Sequence, residues 1–90
     1  MENKILEIIN TYDPLTLFPG ELAPKNEYDI EAKKIASILK NLNNPERDNI
    51  YFIVYYVFDK MFGTDFSEED ILRMSKISND IFSLIKGNKN

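Results

Sequence analysis

Four carboxylates lie near one tyrosine in the first third of the chain: Asp13, Glu27, Asp29 and Glu31, with Tyr28 between the second and third. Carboxylate oxygens in that number are what a hard divalent cation selects. Two carboxylates and a phenol could also exchange protons with a substrate. The competing reading is architectural. Asp13 precedes Pro14 and can accept backbone N–H bonds within its own turn. Glu27 and Asp29 favour the positive end of a helix that begins beside them. No Asp-x-Asp-x-Asp-Gly calcium loop occurs, and capping accounts for most of these acids. Glu31 is the exception. It falls on an apolar stripe between Tyr28 and Ile35, where a carboxylate needs a donor such as a tyrosine hydroxyl or loop N–H groups.

A second acidic group, Asp65, Glu68, Glu69 and Asp70, reads as helix-start electrostatics. Its functional alternative is a docking patch for a basic partner, weakened by salt. The run 50–58 is the third feature, with Tyr51, Phe52, Tyr55, Tyr56 and Phe58 among β-branched residues. These rings either complete the core with their hydroxyls at the surface, or form an exposed stripe for dimerisation or partner binding. Tyr51 and Tyr55, one helical turn apart, mark the candidate partner surface together with Phe18.

Several chemistries are absent. The chain has no cysteine and no histidine, which removes thiol nucleophiles, Ser–His–Asp triads and the usual zinc sites. No phosphate loop, cofactor motif or nucleophile–base pair is present, so no enzyme activity and no cofactor are expected. The net charge is −4 and Lys33-Lys34 is the only adjacent basic pair, which argues against nucleic acid. The first residues carry acids where a signal peptide would be basic, and no apolar run reaches transmembrane length. A cytoplasmic protein with no membrane association is the expectation.

The elements that position these residues follow from periodicity and capping. Ile5, Ile8, Ile9 and Tyr12 predict a first helix over about 2–11, stopped by Asp13-Pro14. Tyr28, Glu31, Ile35, Ile38, Leu39 and Leu42 predict a second over about 27–42, with Asn26 as its cap. Asn44-Pro45 resembles a helix start, since proline at the first position loses no bond. It predicts a third helix over about 45–62, buried nearly all round and ended by Gly63. Ser67 to Asp70 forms a capping box, with Phe66 and Ile71 placed as a hydrophobic staple. The fourth helix then runs over about 67–86. The fold expected for 1–90 is a single all-α domain. It is a compact four-helix arrangement with a long ordered proline-containing loop between helices 1 and 2. Leu15, Leu17 and Phe18 should pack back from that loop onto the bundle.

One resemblance attaches to these residues. A helix, then Tyr12-Asp13-Pro14-Leu15, then a proline-bearing loop, then Glu27-Tyr28-Asp29-Ile30-Glu31 opening a second helix resembles the YugE-like family of small uncharacterised Firmicute proteins. Asp13, Pro14, Tyr28, Glu31 and the later Phe62-Gly63 fit its pattern. Tyr12 stands where that family usually has tryptophan. The resemblance implies a small helical fold and a bacterial cytoplasmic origin, and it implies no activity.

The reading that results is a non-enzymatic protein-interaction or regulatory module of unidentified partner, with a homodimer through the third helix as one form of pairing. An inhibitor or immunity-type protein that binds a basic toxin is the alternative. A weak divalent-cation site built from the carboxylates near Tyr28 is the second alternative. Asp13, Tyr28, Asp29 and Glu31 form the polar constellation common to these readings.

Overall fold

A computed structural model describes residues 1–15, 27–63 and 65–87. Among them are four helices and no strand: α1 (Glu2–Tyr12), α2 (Asp29–Lys40), α3 (Arg47–Phe62) and α4 (Glu68–Gly87). Each helix packs on its chain neighbour and α1 closes on α4, whereas the diagonal pairs α1–α3 and α2–α4 do not meet among the described residues. The all-α four-helix expectation therefore holds. The loop between α1 and α2 falls mostly outside the described residues, and with it the expected packing of Leu17 and Phe18 and the capping role of Asn26. Leu15, at its near end, is partly buried against the core.

The core is one cluster fed by all four helices. Ile5 and Ile9 come from α1, Ala32, Ile35 and Leu39 from α2, and Ile50, Val54, Val57 and Phe58 from α3. Met74, Ile77 and Ile81 come from α4. The spacing of these residues is the helical repeat, so each helix turns one stripe inward. Each fully buried aliphatic or aromatic side chain contributes roughly 1.5–3 kcal/mol through water exclusion. Ser78 is also buried, and its hydroxyl donates to the Met74 carbonyl at 2.8 Å, so no polar atom is stranded there.

The helix ends depart from expectation where a side chain has a better use. Asp13 caps α1 in the left-handed region with φ 47°, and its N–H reaches the Ile9 carbonyl at 2.8 Å. α2 begins at Asp29 rather than 27: Tyr28 is its N-cap, with φ −100° and ψ 8°, and the Tyr28 carbonyl accepts the Ala32 N–H at 3.0 Å. It ends at Lys40, since the N–H groups of Asn41 and Leu42 reach back three residues to Ile38 and Leu39. That tighter turn leaves Leu42 exposed instead of on the core stripe. The α3 cap is Glu46, not Asn44. Glu46 and Asn49 bond reciprocally, the Glu46 N–H donating to Asn49 Oδ1 at 2.8 Å, while Asn44 takes φ 56° and Pro45 is buried.

The capping box of α4 forms as its sequence predicts. Asp70 N–H donates to Ser67 Oγ at 3.1 Å and Ser67 N–H to Asp70 Oδ2 at 3.2 Å. Of the two staple residues, Ile71 is 36% exposed and Phe66 lies edge-on to the Tyr55 ring, 5.7 Å between centroids.

Candidate functional site

Two places in this fold gather chemistry-bearing residues. The first joins the end of α1 to the start of α2. Because Asp13 is left-handed, its carboxylate turns toward Tyr28, which is fully buried. The Tyr28 hydroxyl donates to Asp13 Oδ1 at 2.6 Å and accepts the Leu15 N–H at 3.3 Å. The Tyr28 ring meets Phe58 of α3 edge-on, 6.0 Å between centroids. This is a part-buried polar latch on a fully buried ring.

The rest of the predicted constellation is not drawn into it. Asp29 is exposed in the first turn of α2, where a negative charge favours the helix. Glu31 is buried, at 2% exposure. Its Oε1 has no hydrogen-bond partner among the described residues; the Tyr28 hydroxyl donates to Asp13 instead, and most of the loop lies outside the described residues. Burial pushes the Glu31 carboxyl above the usual carboxylate range. Its own backbone N–H opposes that shift, Glu27 and Asp29 add to it, and Lys34 partly offsets it. Among the described residues no three carboxylates converge to hold a metal ion, so the arrangement provides a latch and a lone buried acid.

The second place is the outer side of α3. This helix was expected to be buried nearly all round, and it is not. Ile50, Val54, Val57 and Phe58 fill the core, while Phe52 is 67% and Tyr56 55% exposed. A four-helix ring without diagonal contacts covers each helix on one side only, so a helix apolar on every side must show rings to water. Tyr51 and Tyr55, the pair singled out from spacing, are half-buried, with Tyr55 against Phe66. They support the exposed rings: Tyr51 lies edge-on to Phe52 at 5.9 Å, and Tyr55 tilts against Tyr51 at 6.3 Å. Phe18 lies outside the described residues.

Beside this face, α2 and α3 enclose a groove of about 450 Å³ lined by Lys34, Ile38, Tyr56, Lys60 and Met61 among others. The Lys60 ammonium sits 5.7 Å from the Tyr56 ring centre, a cation–π approach. A larger open groove of about 560 Å³ runs between the start of α1, the end of α2 and the end of α4, over Leu39, Leu42, Pro45 and Ile85.

Two long-range polar contacts escaped the sequence reading. Tyr12 donates its hydroxyl to Asp80 Oδ2 at 2.8 Å, tying α1 to α4. That bond to a carboxylate raises the Tyr12 hydroxyl above its ordinary pKa, with burial and the Asp80 charge adding to the effect. Phe82 lies between two cations, Arg47 at 5.0 Å and Lys86 at 5.4 Å from its centre, and Lys86 also donates to Asn44 Oδ1 at 2.9 Å. Phe82 and Lys86 are one turn apart on α4, but no periodicity announces the contacts that Tyr12, Arg47 and Asn44 make with that helix.

At the start of α4 the acids divide by role. Asp70 serves the cap and meets Arg73 at 3.3 Å, and Glu69 meets Arg73 at 3.5 Å. Asp65 and Glu68 are exposed. No helix among the described residues is long and apolar enough to cross a membrane. No family model, curated protein or solved structure matches the chain.

Proposed function

We propose that this chain is a non-enzymatic protein-interaction module whose contact surface follows the outer side of α3. The observation that supports it is the exposure of Phe52 and Tyr56, one turn apart, on a helix whose other side fills the core. Two large rings left in water gain free energy when a partner covers them, and aromatic side chains are the commonest anchors of protein interfaces. Tyr51 and Tyr55 stand at the edge of the surface and hold it in place. Membership of the YugE-like family, with a cytoplasmic bacterial location, belongs to the same proposal and rests on Asp13, Pro14, Tyr28, Glu31 and Phe62-Gly63.

Affinity capture from the source organism, with the wild type and a Phe52→Ser/Tyr56→Ser variant compared side by side, tests it. A defined protein retained by the wild type and lost from the variant is the expected result. Identical retained sets would overturn it.

A second reading keeps the exposed acids Asp65 and Glu68 as the contact for a basic protein, as an inhibitor or immunity-type protein would use them. Capture that depends on Asp65→Asn/Glu68→Gln, and not on the α3 rings, would favour it.

A further inference from the structure

We propose that the groove between α2 and α3 receives the start of α4 from a second copy of this chain. The inference rests on the α3 interaction surface and names its partner. Two stretches of the molecule carry charge of one sign. Residues 32–45 carry Lys33, Lys34 and Lys40 and no carboxylate, whereas residues 65–70 carry Asp65, Glu68, Glu69 and Asp70 and no base; Arg73, one turn on, pairs with Glu69 and Asp70, which leaves Asp65 and Glu68 for a partner. Lys33, Lys34 and Lys40 are exposed on α2. Lys34 and Lys60 border the groove, whose apolar lining includes Ile38, Tyr56 and Met61, and no carboxylate lines it among the described residues.

The start of α4 has the complementary form. The capping box and the core positions Met74 and Ile77 fix which side of this helix turns inward. Glu68 and Leu72 are left outward, Leu72 at 56% exposure, and Ile71 lies at the edge of the inward stripe at 36% exposure. An amphipathic helix enters an apolar groove through apolar side chains exposed on its surface, here Leu72 with Ile71 beside it. Leu72 and Ile71 meet Tyr56 and Met61, while Asp65 and Glu68 meet Lys34 and Lys60. Each copy carries both the groove and the helix that fills it, so one pairing uses each element twice when the two copies are related by a two-fold axis.

Analytical ultracentrifugation over a concentration series tests this with two charge-reversed chains, Lys34→Glu/Lys60→Glu and Asp65→Lys/Glu68→Lys. The wild type is expected to self-associate at about 0.05 M salt, and more weakly by about tenfold or more at about 0.5 M. Each variant alone is expected to be monomeric. Their equimolar mixture is expected to associate again, because every reversed charge then faces its opposite. Restored association also shows that both variants are folded. A wild type that stays monomeric at low salt overturns the pairing, as does association unchanged by either reversal or a mixture that stays monomeric. A monomeric chain that still captures another protein through Phe52 and Tyr56 would remove the self-pairing and leave the α3 surface standing. Self-association with no Phe52-dependent capture of another protein would do the reverse.

Discussion

The hydroxyl of Tyr28 reaches Asp13 Oδ1 over 2.6 Å, across fifteen residues of chain. A helix-ending aspartate and a helix-starting tyrosine thus form one part-buried bond, closed further by the Leu15 N–H. Removing the hydroxyl takes one partner from each of those groups in a part-buried place. Tyr28→Phe is expected to lower stability by about 1–2 kcal/mol. Asp13→Ala should cost at least as much, because alanine also strains at the left-handed position. Urea unfolding of the two single variants and the double variant measures the coupling. Strictly additive losses would show that the bond contributes nothing.

Glu31 gives stability a pH dependence of defined sign. Its folded carboxyl is raised by burial, so the charged form disfavours the fold. The contribution is fully present below the unfolded carboxylate value of about 4.3 and is lost as pH rises through the higher folded value. Glu31→Gln is expected to be more stable than the wild type near neutral pH and to lose that advantage in acid. Melting temperatures of both chains from about pH 3 to 8 check it; a constant difference across the range would contradict the burial argument.

Gly63 separates backbone strain from crowding. It ends α3 with φ 93° and ψ −179°, a region only glycine adopts readily, and a methyl group there would meet nothing within 4 Å. Gly63→Ala should therefore cost about 1–3 kcal/mol through the backbone alone. A denaturation midpoint equal to the wild type's would mean that the turn relaxes freely.

Neighbouring positions on α3 should answer substitution in opposite ways. Val54 is fully buried, and Val54→Ala is expected to cost about 1–3 kcal/mol from lost burial and a cavity. Phe52→Ser is expected to change stability by no more than about 0.5 kcal/mol while removing the interaction surface. Thermal melts of both variants decide it, and a large loss for Phe52→Ser would place its ring in the core.

The parts of the fold that were legible in the sequence are those governed by neighbours in the chain. Ser67 and Asp70 stand three residues apart, so their reciprocal bonds could be read directly. Glu31 was found because its position interrupts an apolar period. Asn44-Pro45 was misleading for the same local reason: the pattern fits a helix start, yet Glu46 and Asn49 form the cap. Pro45 is buried just before it. The candidate site was less legible. Spacing pairs Tyr51 with Tyr55 as readily as Phe52 with Tyr56, and only the positions of α2 and α4 decide which pair faces water. The use of the Tyr28 hydroxyl depends on where α1 ends in space, which no period within α2 encodes.

The ring order of the helices also bears on how the chain folds and opens. Three of its four seams join helices adjacent in sequence, which favours rapid folding because short stretches close first. The fourth, between α1 and α4, is bridged by Tyr12 and Asp80 at a separation of sixty-eight residues. Its loop-closure entropy is the largest of the four. The α1–α4 seam is therefore expected to close late in folding and to open early from the native state. Amide protons at the inner face of α1 should exchange with solvent ahead of those in α3, even where both are equally buried.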